Sequence, residues 1–379
     1  MISLSRANAH RIVVTDAGTG ATNNLIRSLR AGGDPLVIVG CHSDRFLLKK
    51  SSADRHYLVP PAGNREFAAA VARVVERERA ELVFPNTDWA VRALSDARAR
   101  IPCRVFLPAR AVVNRCQDKY ALTRFLGARD IPVPATVAVR DLGSLPSIYR
   151  RLGPTGRLWC RLRRGAGSRG AAPVTSARQA ATWIRYWQEM RGVRASDFTL
   201  SEYLPGRDFA CQMLWKDGAL VLAKTCERLS YFEGGSQPSG RSSIAALARV
   251  VDEPRVVEVS RAAVAALGSR VTGAFSVDLK ENVDRVPCVT EINVGRFITL
   301  MNLLDLTGKY NMARTYVRLA LDEPVRIDDP YDTAPDYYFV RDVDTVPSIF
   351  HADDFFDGIE DARAKLRPVT HLMRNGGPR

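Results

Sequence analysis

Lysine is scarce in this 379-residue chain: only 8 of its 55 basic residues are Lys, and the rest are Arg. The net charge of +14 invites a nucleic-acid reading, but no basic run carries interleaved aromatics. The arginines are spread through helical stretches, as at Arg73, Arg77, Arg92 and Arg98, and read as solvated helix faces. No nucleic-acid partner is expected. A basic cleft would still favour anionic small molecules. The seven Cys (Cys41, Cys103, Cys116, Cys160, Cys211, Cys226, Cys288) include no C-x-x-C pair. They are expected to be buried free thiols in a reducing compartment. The five His lack metal-ligand spacing, which argues against zinc. No apolar span is long enough to cross a bilayer, and Met1–Arg6 is no apolar signal region. A cytoplasmic protein without a membrane partner is expected. No internal repeat is found.

What is present reads as a soluble globular protein, with 46% hydrophobic and 25% charged residues. The length implies two or three domains. Strand-like runs at Arg11–Thr15, Leu36–Gly40, Leu82–Pro85 and Arg104–Leu107 alternate with helical patterns, including Glu66–Glu78 and Asp88–Ala99. Such alternation predicts a parallel, doubly wound α/β domain. Gly18 and Gly20 follow a strand, but Asn23 stands where a dinucleotide fingerprint has its third glycine, so a tight turn is the better reading. Asn86, Thr87 and Asp88 lie past the carboxyl end of a strand, where such sheets bind ligands. Thr87 or Asp88 capping a helix is the simpler role. A boundary falls near Ala111–Arg115.

Beyond it, Gln117–Gly127 predicts an amphipathic helix carrying Lys119. Strand Leu158–Leu162 leads into Arg163-Arg164-Gly165-Ala166-Gly167-Ser168-Arg169-Gly170, a loop whose backbone N–H groups could wrap phosphate oxygens. It lacks the G-K-[ST] ending of a Walker loop. A hairpin is read over Phe209–Thr225 around Lys216-Asp217-Gly218, and a second Gly/Ser loop over Tyr231–Gly240. Pro254–Leu267 and Asn311–Leu321 read as helices.

The centre of the chain is Gly273–Phe297. Two apolar-alternating runs flank Glu-Asn-Val-Asp-Arg, which predicts a hairpin. Phe275, Val277 and Leu279 point one way, and Ser276, Asp278 and Lys280 the other. On the second strand Val289, Glu291 and Asn293 are expected to share a face. Pairing around Asn282–Asp284 would bring Asp278 to Glu291 and Asn293. Two carboxylates and an amide oxygen form a hard site suited to Mg²⁺ completed by nucleotide phosphates. The blander alternative is a solvent-exposed polar sheet face.

Four pieces in order, Asp118-Lys119, Arg161 with the glycine loop, Glu202-x-x-x-Gly206-x-Asp208 and Asp278…Glu291-x-Asn293, resemble the ATP-grasp superfamily. The similarity is greatest to the branch of carbamoyl-phosphate synthetase large chains, biotin carboxylases and stand-alone carboxylate–amine ligases. The Asp278–Glu291 interval resembles that of D-alanine–D-alanine ligases. The resemblance implies an α/β domain at 1–115 and an ATP-grasp fold of two α+β subdomains at 116–325. Within it a small lid would span about 135–205 and a catalytic subdomain about 206–325, followed by an extension at 326–379. It implies ATP and Mg²⁺, with Mn²⁺ as a substitute. Lys119, Arg161 and the loop with Gly165, Gly167, Ser168 and Gly170 would contact phosphates. Glu202 and Leu204 would border adenine, Asp208 would bond the ribose, and Asp278, Glu291 and Asn293 would hold the metal. Arg296, Arg228 and Lys224 are the candidates to steady an acyl phosphate.

The implied reaction joins a small-molecule carboxylate, such as an amino acid, to an amine with release of ADP and phosphate. A homodimer is compatible with this. The alternatives are a carboxyphosphate-forming carboxylase, a carbamoyl-phosphate-synthetase-like enzyme and a non-catalytic nucleotide-binding regulator. The sequence departs from the family's Glu-x-Asn-Pro-Arg, because Val294-Gly295 places Arg296 one residue further on. No glutaminase domain, biotin-carrier segment or duplicated half is read, which disfavours full carbamoyl-phosphate synthesis and self-contained biotin carboxylation.

Overall fold

A computed structural model describes residues 9–152, 156–165, 167–234, 240–340 and 357–363. The first part alternates strands and helices: β1 (His10–Thr15), α1 (Gly20–Ala31), β2 (Leu36–His42), α2 (Arg45–Lys49), β3 (Arg55–Leu58), α3 (Phe67–Glu78), β4 (Leu82–Phe84), α4 (Asp88–Asp96) and α5 (Arg110–Cys116). Its strands pair parallel in the order β3-β2-β1-β4. Near-continuous apolar runs such as Ile12-Val13-Val14 are buried on both faces, as parallel strands under helices require. Arg104–Leu107 is not a strand. Arg104 makes only an isolated bridge to Leu82, and the chain, bracketed by Pro102 and Pro108, does not extend the ladder.

The next elements are α6 (Lys119–Gly127), β5 (Thr136–Ala138), α7 (Leu145–Leu152), β6 (Leu158–Leu162), β7 (Ala172–Val174), α8 (Ala177–Arg191) and β8 (Phe198–Glu202). The four strands form an antiparallel sheet, β5-β8-β6-β7, packed by α7 and α8 around Ile148, Ile184 and Trp187. Then come β9 (Asp208–Lys216), β10 (Ala219–Gly234), β11 (Gly240–Val250), α9 (Pro254–Ala265), β12 (Gly273–Glu281), β13 (Pro287–Val294), α10 (Met301–Thr307) and α11 (Met312–Ala320). The Tyr231–Gly240 stretch is therefore not all loop: Tyr231–Gly234 continues β10 and Gly240 begins β11. Residues 235–239 and the Gly-Gly-Pro-Arg end lie outside the described residues.

After residue 325 the described residues add two edge strands. β14 (Tyr338–Val340) completes a six-stranded antiparallel sheet, β13-β12-β9-β10-β11-β14. β15 (Ile359–Asp361) pairs parallel with β3 of the first sheet. Both faces of the six-stranded sheet are covered. Phe209, Cys211 and Met213 of β9 enter one apolar cluster and Ala210 and Leu214 another. All seven cysteines are free, and all but Cys103 are buried. Burial alone pushes the Cys160 thiol up, which keeps it protonated at neutral pH. Among the described residues no helix is long and apolar enough to cross a membrane.

An aromatic joint ties the first sheet to the six-stranded one. Phe84, at the end of β4, stacks on Tyr316 of α11 with ring centroids 4.1 Å apart. Phe297, just past β13, packs edge-on to both. The Tyr316 hydroxyl donates to the Phe106 carbonyl at 2.8 Å. The segment carrying Arg296 is thus fixed between two sheets.

Candidate active site

Between the four- and six-stranded sheets lies a cleft of about 690 Å³. One wall comes from β6 and β8, the other from β9, β12 and β13, and the chain after β13 closes one end. Of the fifteen residues singled out from sequence, thirteen line it; Gly170 and Lys224 do not.

The metal-site expectation rests on the β12–β13 register, and the pairing brings the three residues together. Asp278 stands opposite Glu291, and Ser276 opposite Asn293. Asn282 makes the turn by accepting the Asp284 and Val286 N–H groups on its side chain. A bulge follows Asp278, so Leu279 pairs with Val289 and Thr290 is the extra residue. The Thr290 hydroxyl donates to the Asp278 carbonyl at 2.9 Å. This corrects the face assignment: Val289 turns into the apolar cluster with Ile292 and Val294, while Glu291 and Asn293 face the cleft.

Each carboxylate is held by cations. Asp278 pairs with Arg228 through one oxygen and accepts from Asn293 Nδ2 at 2.9 Å through the other. Glu291 pairs with Lys119 at 3.2 Å. Burial raises Glu291, but Lys119 and Arg161 outweigh it and hold its carboxyl below the usual carboxylate range. Burial also raises Asp278; Arg228 offsets part of this, and the Glu291 charge adds to it. Two like charges thus face each other across one strand pair. A divalent cation fits that donor set, since Mg²⁺ takes one or two carboxylates and fills its shell with water and phosphate oxygens. Among the described residues no three His, Cys, Asp or Glu side chains gather into an all-protein metal cage.

The cationic wall is built locally. Asp118 caps α6 by accepting the Ala121 N–H at 3.1 Å, which places Lys119 in the first turn. Arg163 and Arg164 pin the same carboxylate, and the Lys119 N–H donates to the Arg163 carbonyl. Lys119 Nζ then donates to the Gly165 carbonyl at 2.7 Å. It therefore spans from the glycine loop to the hairpin. Gly165, Gly167, Ser168 and Gly170 all have positive φ, a run that glycine makes accessible. Gly170 is buried outside the cleft lining, close to Leu162 and Phe198, and its carbonyl accepts from Trp183 Nε1 at 3.0 Å. Arg161 is 8% exposed and donates to the Thr290 carbonyl at 2.9 Å. Its Nε is buried without a hydrogen-bond partner.

Glu202 ends β8 and its side chain accepts from the Ala135 N–H at 3.3 Å; Leu204 is buried beside it. Asp208 begins β9 and accepts from Arg228 at 3.1 Å and from the Tyr231 hydroxyl at 2.8 Å. Arg228 thus bridges Asp208 and Asp278. Tyr231 was not singled out as a site residue, because its Gly/Ser surroundings read as loop. Arg296 donates to Asp88 at 2.6 Å and to Asn293.

Lys224 is a correction. It is 1% exposed, donates to the Leu304 carbonyl at 2.8 Å and pairs with Asp332 at 2.8 Å. Its strand is covered on both faces, and its side chain enters the core under α10 rather than the cleft.

No protein-family model matches the chain, and no curated protein does. Solved structures do. Biotin carboxylase from Campylobacter jejuni, in a complex with a β,γ-ATP ligand, matches with a TM-score of 0.67 at 14% identity, covering 86% of this chain and 74% of that one. An L-amino acid ligase from Bacillus licheniformis matches with a TM-score of 0.63 at 14% identity, covering 82% and 74%. The ATP complex of carboxyaminoimidazole ribonucleotide synthase from Aspergillus clavatus matches at 0.62 with 16% identity, covering 86% and 80%. The chain shares the fold of these ATP- and amino-acid-handling enzymes.

Proposed function

We propose that the chain is an ATP-dependent carboxylate–amine ligase. The carboxylate would take the γ-phosphoryl group of ATP, giving ADP and an acyl phosphate. The amine would then attack the acyl carbon, and inorganic phosphate would leave as the amide bond forms. One observation carries this reading: Lys119, Arg161 and a glycine loop converge on one side of a cleft whose other side presents Asp278, Glu291 and Asn293. The orphaned Nε of Arg161 fits a phosphate, because a buried unpaired donor costs about 1–3 kcal/mol and a phosphate oxygen would satisfy it. Mg²⁺, held by Asp278, Glu291 and Asn293, would neutralise charge on the phosphates. Glu202 and Leu204 would flank the base, and Asp208 would meet the ribose.

The protein would act in solution on small molecules, with amino acids as the first carboxylates to try, since a structural neighbour is an L-amino acid ligase. A carboxyphosphate-forming carboxylase is the second reading, favoured by the biotin carboxylase likeness. A phosphate-release screen of amino acids in pairs, with mass spectrometry of the product, separates them. Bicarbonate-dependent release without an amide product would favour the second. Absence of release with every pair and with bicarbonate would overturn both.

Lys119→Ala is expected to raise the ATP concentration for half-maximal ADP formation about 10- to 100-fold, the value of one charge-assisted contact. Arg161→Ala should act similarly and lower the thermal midpoint as well, since its side chain is buried. Wild-type ATP dependence in both would remove them from the nucleotide site.

Arg164 and Arg169 are exposed trypsin sites flanking the glycine loop. Mg·ATP should slow cleavage at both, because a loop drawn onto phosphates is a poorer protease substrate. Identical cleavage with and without Mg·ATP would show that the loop does not close on nucleotide.

A further inference from the structure

The arginine displaced by one residue from the family pattern still reaches the cleft, and two features of this chain bring it there. Gly295 turns the backbone at φ +72 directly before Arg296. A Cβ at this position would lie 2.7 Å from Leu107 and 3.0 Å from Val91, so only glycine lets the segment press this closely onto α4. α4 then supplies the second feature. Asp88, in its first turn, takes the Arg296 Nε–H at 2.6 Å.

Asp88 is itself held. Thr87 caps the helix by accepting the Ala90 N–H, and the Thr87 hydroxyl donates to Asp16. The Asp88 carbonyl accepts from Gln117 Nε2 at 2.8 Å. Asp88 and Arg296 are 27% and 17% exposed, so their attraction is less screened than a surface pair's. Nε of Arg296 goes to Asp88 and Nη2 to Asn293; among the described residues Nη1 has no hydrogen-bond partner.

We infer that Asp88 is a positioning residue: a carboxylate from the parallel sheet's own helix that aims Arg296 at the transferring phosphoryl group. Resting on the ligase reading of the cleft, this gives the first domain a part in the chemistry. The guanidinium has a delocalised charge and a rigid fork of donors. Fixing its Nε edge presents the remaining N–H groups to an anion without the entropy of ordering a long side chain at the moment of reaction.

The test uses the full chain loaded with Mg·ADP and titrated with orthovanadate, a phosphate-like anion, by calorimetry. Arg296→Ala should weaken vanadate binding about 10-fold or more, and Asp88→Asn about 3- to 10-fold. Asp88→Glu should recover part of the loss. The double variant should bind no worse than Arg296→Ala, because Asp88 acts only through the arginine. In turnover, Asp88→Asn should lower kcat with little change in the KM for ATP. Wild-type vanadate affinity in Asp88→Asn, or losses that simply add in the double variant, would overturn the proposal. The binding arm does not need the carboxylate or the amine. Coupled vanadate losses with no turnover on any substrate pair would uphold the positioning role and sink the ligase reading instead.

Discussion

Glu291→Gln is expected to reduce ADP formation by about 100-fold or more while leaving the thermal midpoint within a few degrees of wild type. The substitution keeps the shape and reach of the side chain and removes one negative charge. Lys119 and Arg161 favour that charge, holding the carboxyl below its ordinary range despite its burial. Without it the proposed cation site keeps one carboxylate and an amide, and Lys119 loses the partner that holds it at the hairpin. Stability should change little because two effects oppose. The Lys119 pair is lost, and the repulsion between Glu291 and Asp278 is relieved. Asp278→Asn should follow the same course more mildly, with partial recovery at high Mg²⁺. Asn293→Ala should have the smallest effect on metal dependence, since it deletes a neutral ligand. ADP formation at the wild-type rate in Glu291→Gln would mean that the β12–β13 hairpin is not the metal site.

Lys224→Ala should instead be the most damaging change to the fold, by about 3–5 kcal/mol. The ammonium is buried against two carboxylates. Asp332 pairs with it directly and also accepts the Lys309 and Tyr310 backbone N–H groups at 3.0 and 2.8 Å. Asp305 caps α11 by accepting the Met312 and Ala313 N–H groups; burial pushes its carboxyl up to about 6, with Lys224 holding it from going higher. Removing the lysine leaves both acids without their cation. The pH dependence follows. Burial raises Asp332, but Lys224 and the backbone donors overcome this and depress it. Its stabilising contribution is therefore present above the unfolded carboxyl value of about 3.9 and lost as pH falls through the folded one. The deficit of Lys224→Ala should be largest near neutrality and shrink in acid. Adding Asp332→Asn should recover part of the loss at pH 7. Equal denaturation midpoints for wild type and Lys224→Ala would show that the ion pair does not support the core.

These two positions also show how far the sequence could be read. The convergence of Asp278, Glu291 and Asn293 was legible because a hairpin is local: an Asn-containing turn and period-two alternation give the pairing. The bulge at Thr290 was not, since an extra residue leaves no mark in composition, and Val289 was assigned to the wrong face. Lys224 failed for a related reason. Its strand lies inside a sheet covered on both sides, where alternation no longer separates core from cleft, and its partner Asp332 comes from a distant segment. The Asp88–Arg296 pair joins residues 208 positions apart, one on α4 and one in the segment after β13, beyond any local pattern. The parallel first sheet was legible from its alternation, but Arg104–Leu107 looked like a strand on side chains alone while its backbone makes one bridge.

The pairing of β15 with β3 bears on how the protein is made. His56 of β3 takes Ile359 as its partner, so most of the chain must leave the ribosome before that ladder closes. Until then the β3 edge of a nascent parallel sheet offers unpaired N–H and C=O groups, the kind of edge that recruits foreign strands. Arg55 on that strand, gripped by Glu78, places charge where such pairing would start. Translation that stalls before Ile359 should therefore yield chains whose parallel sheet is built yet prone to aggregate at the β3 edge.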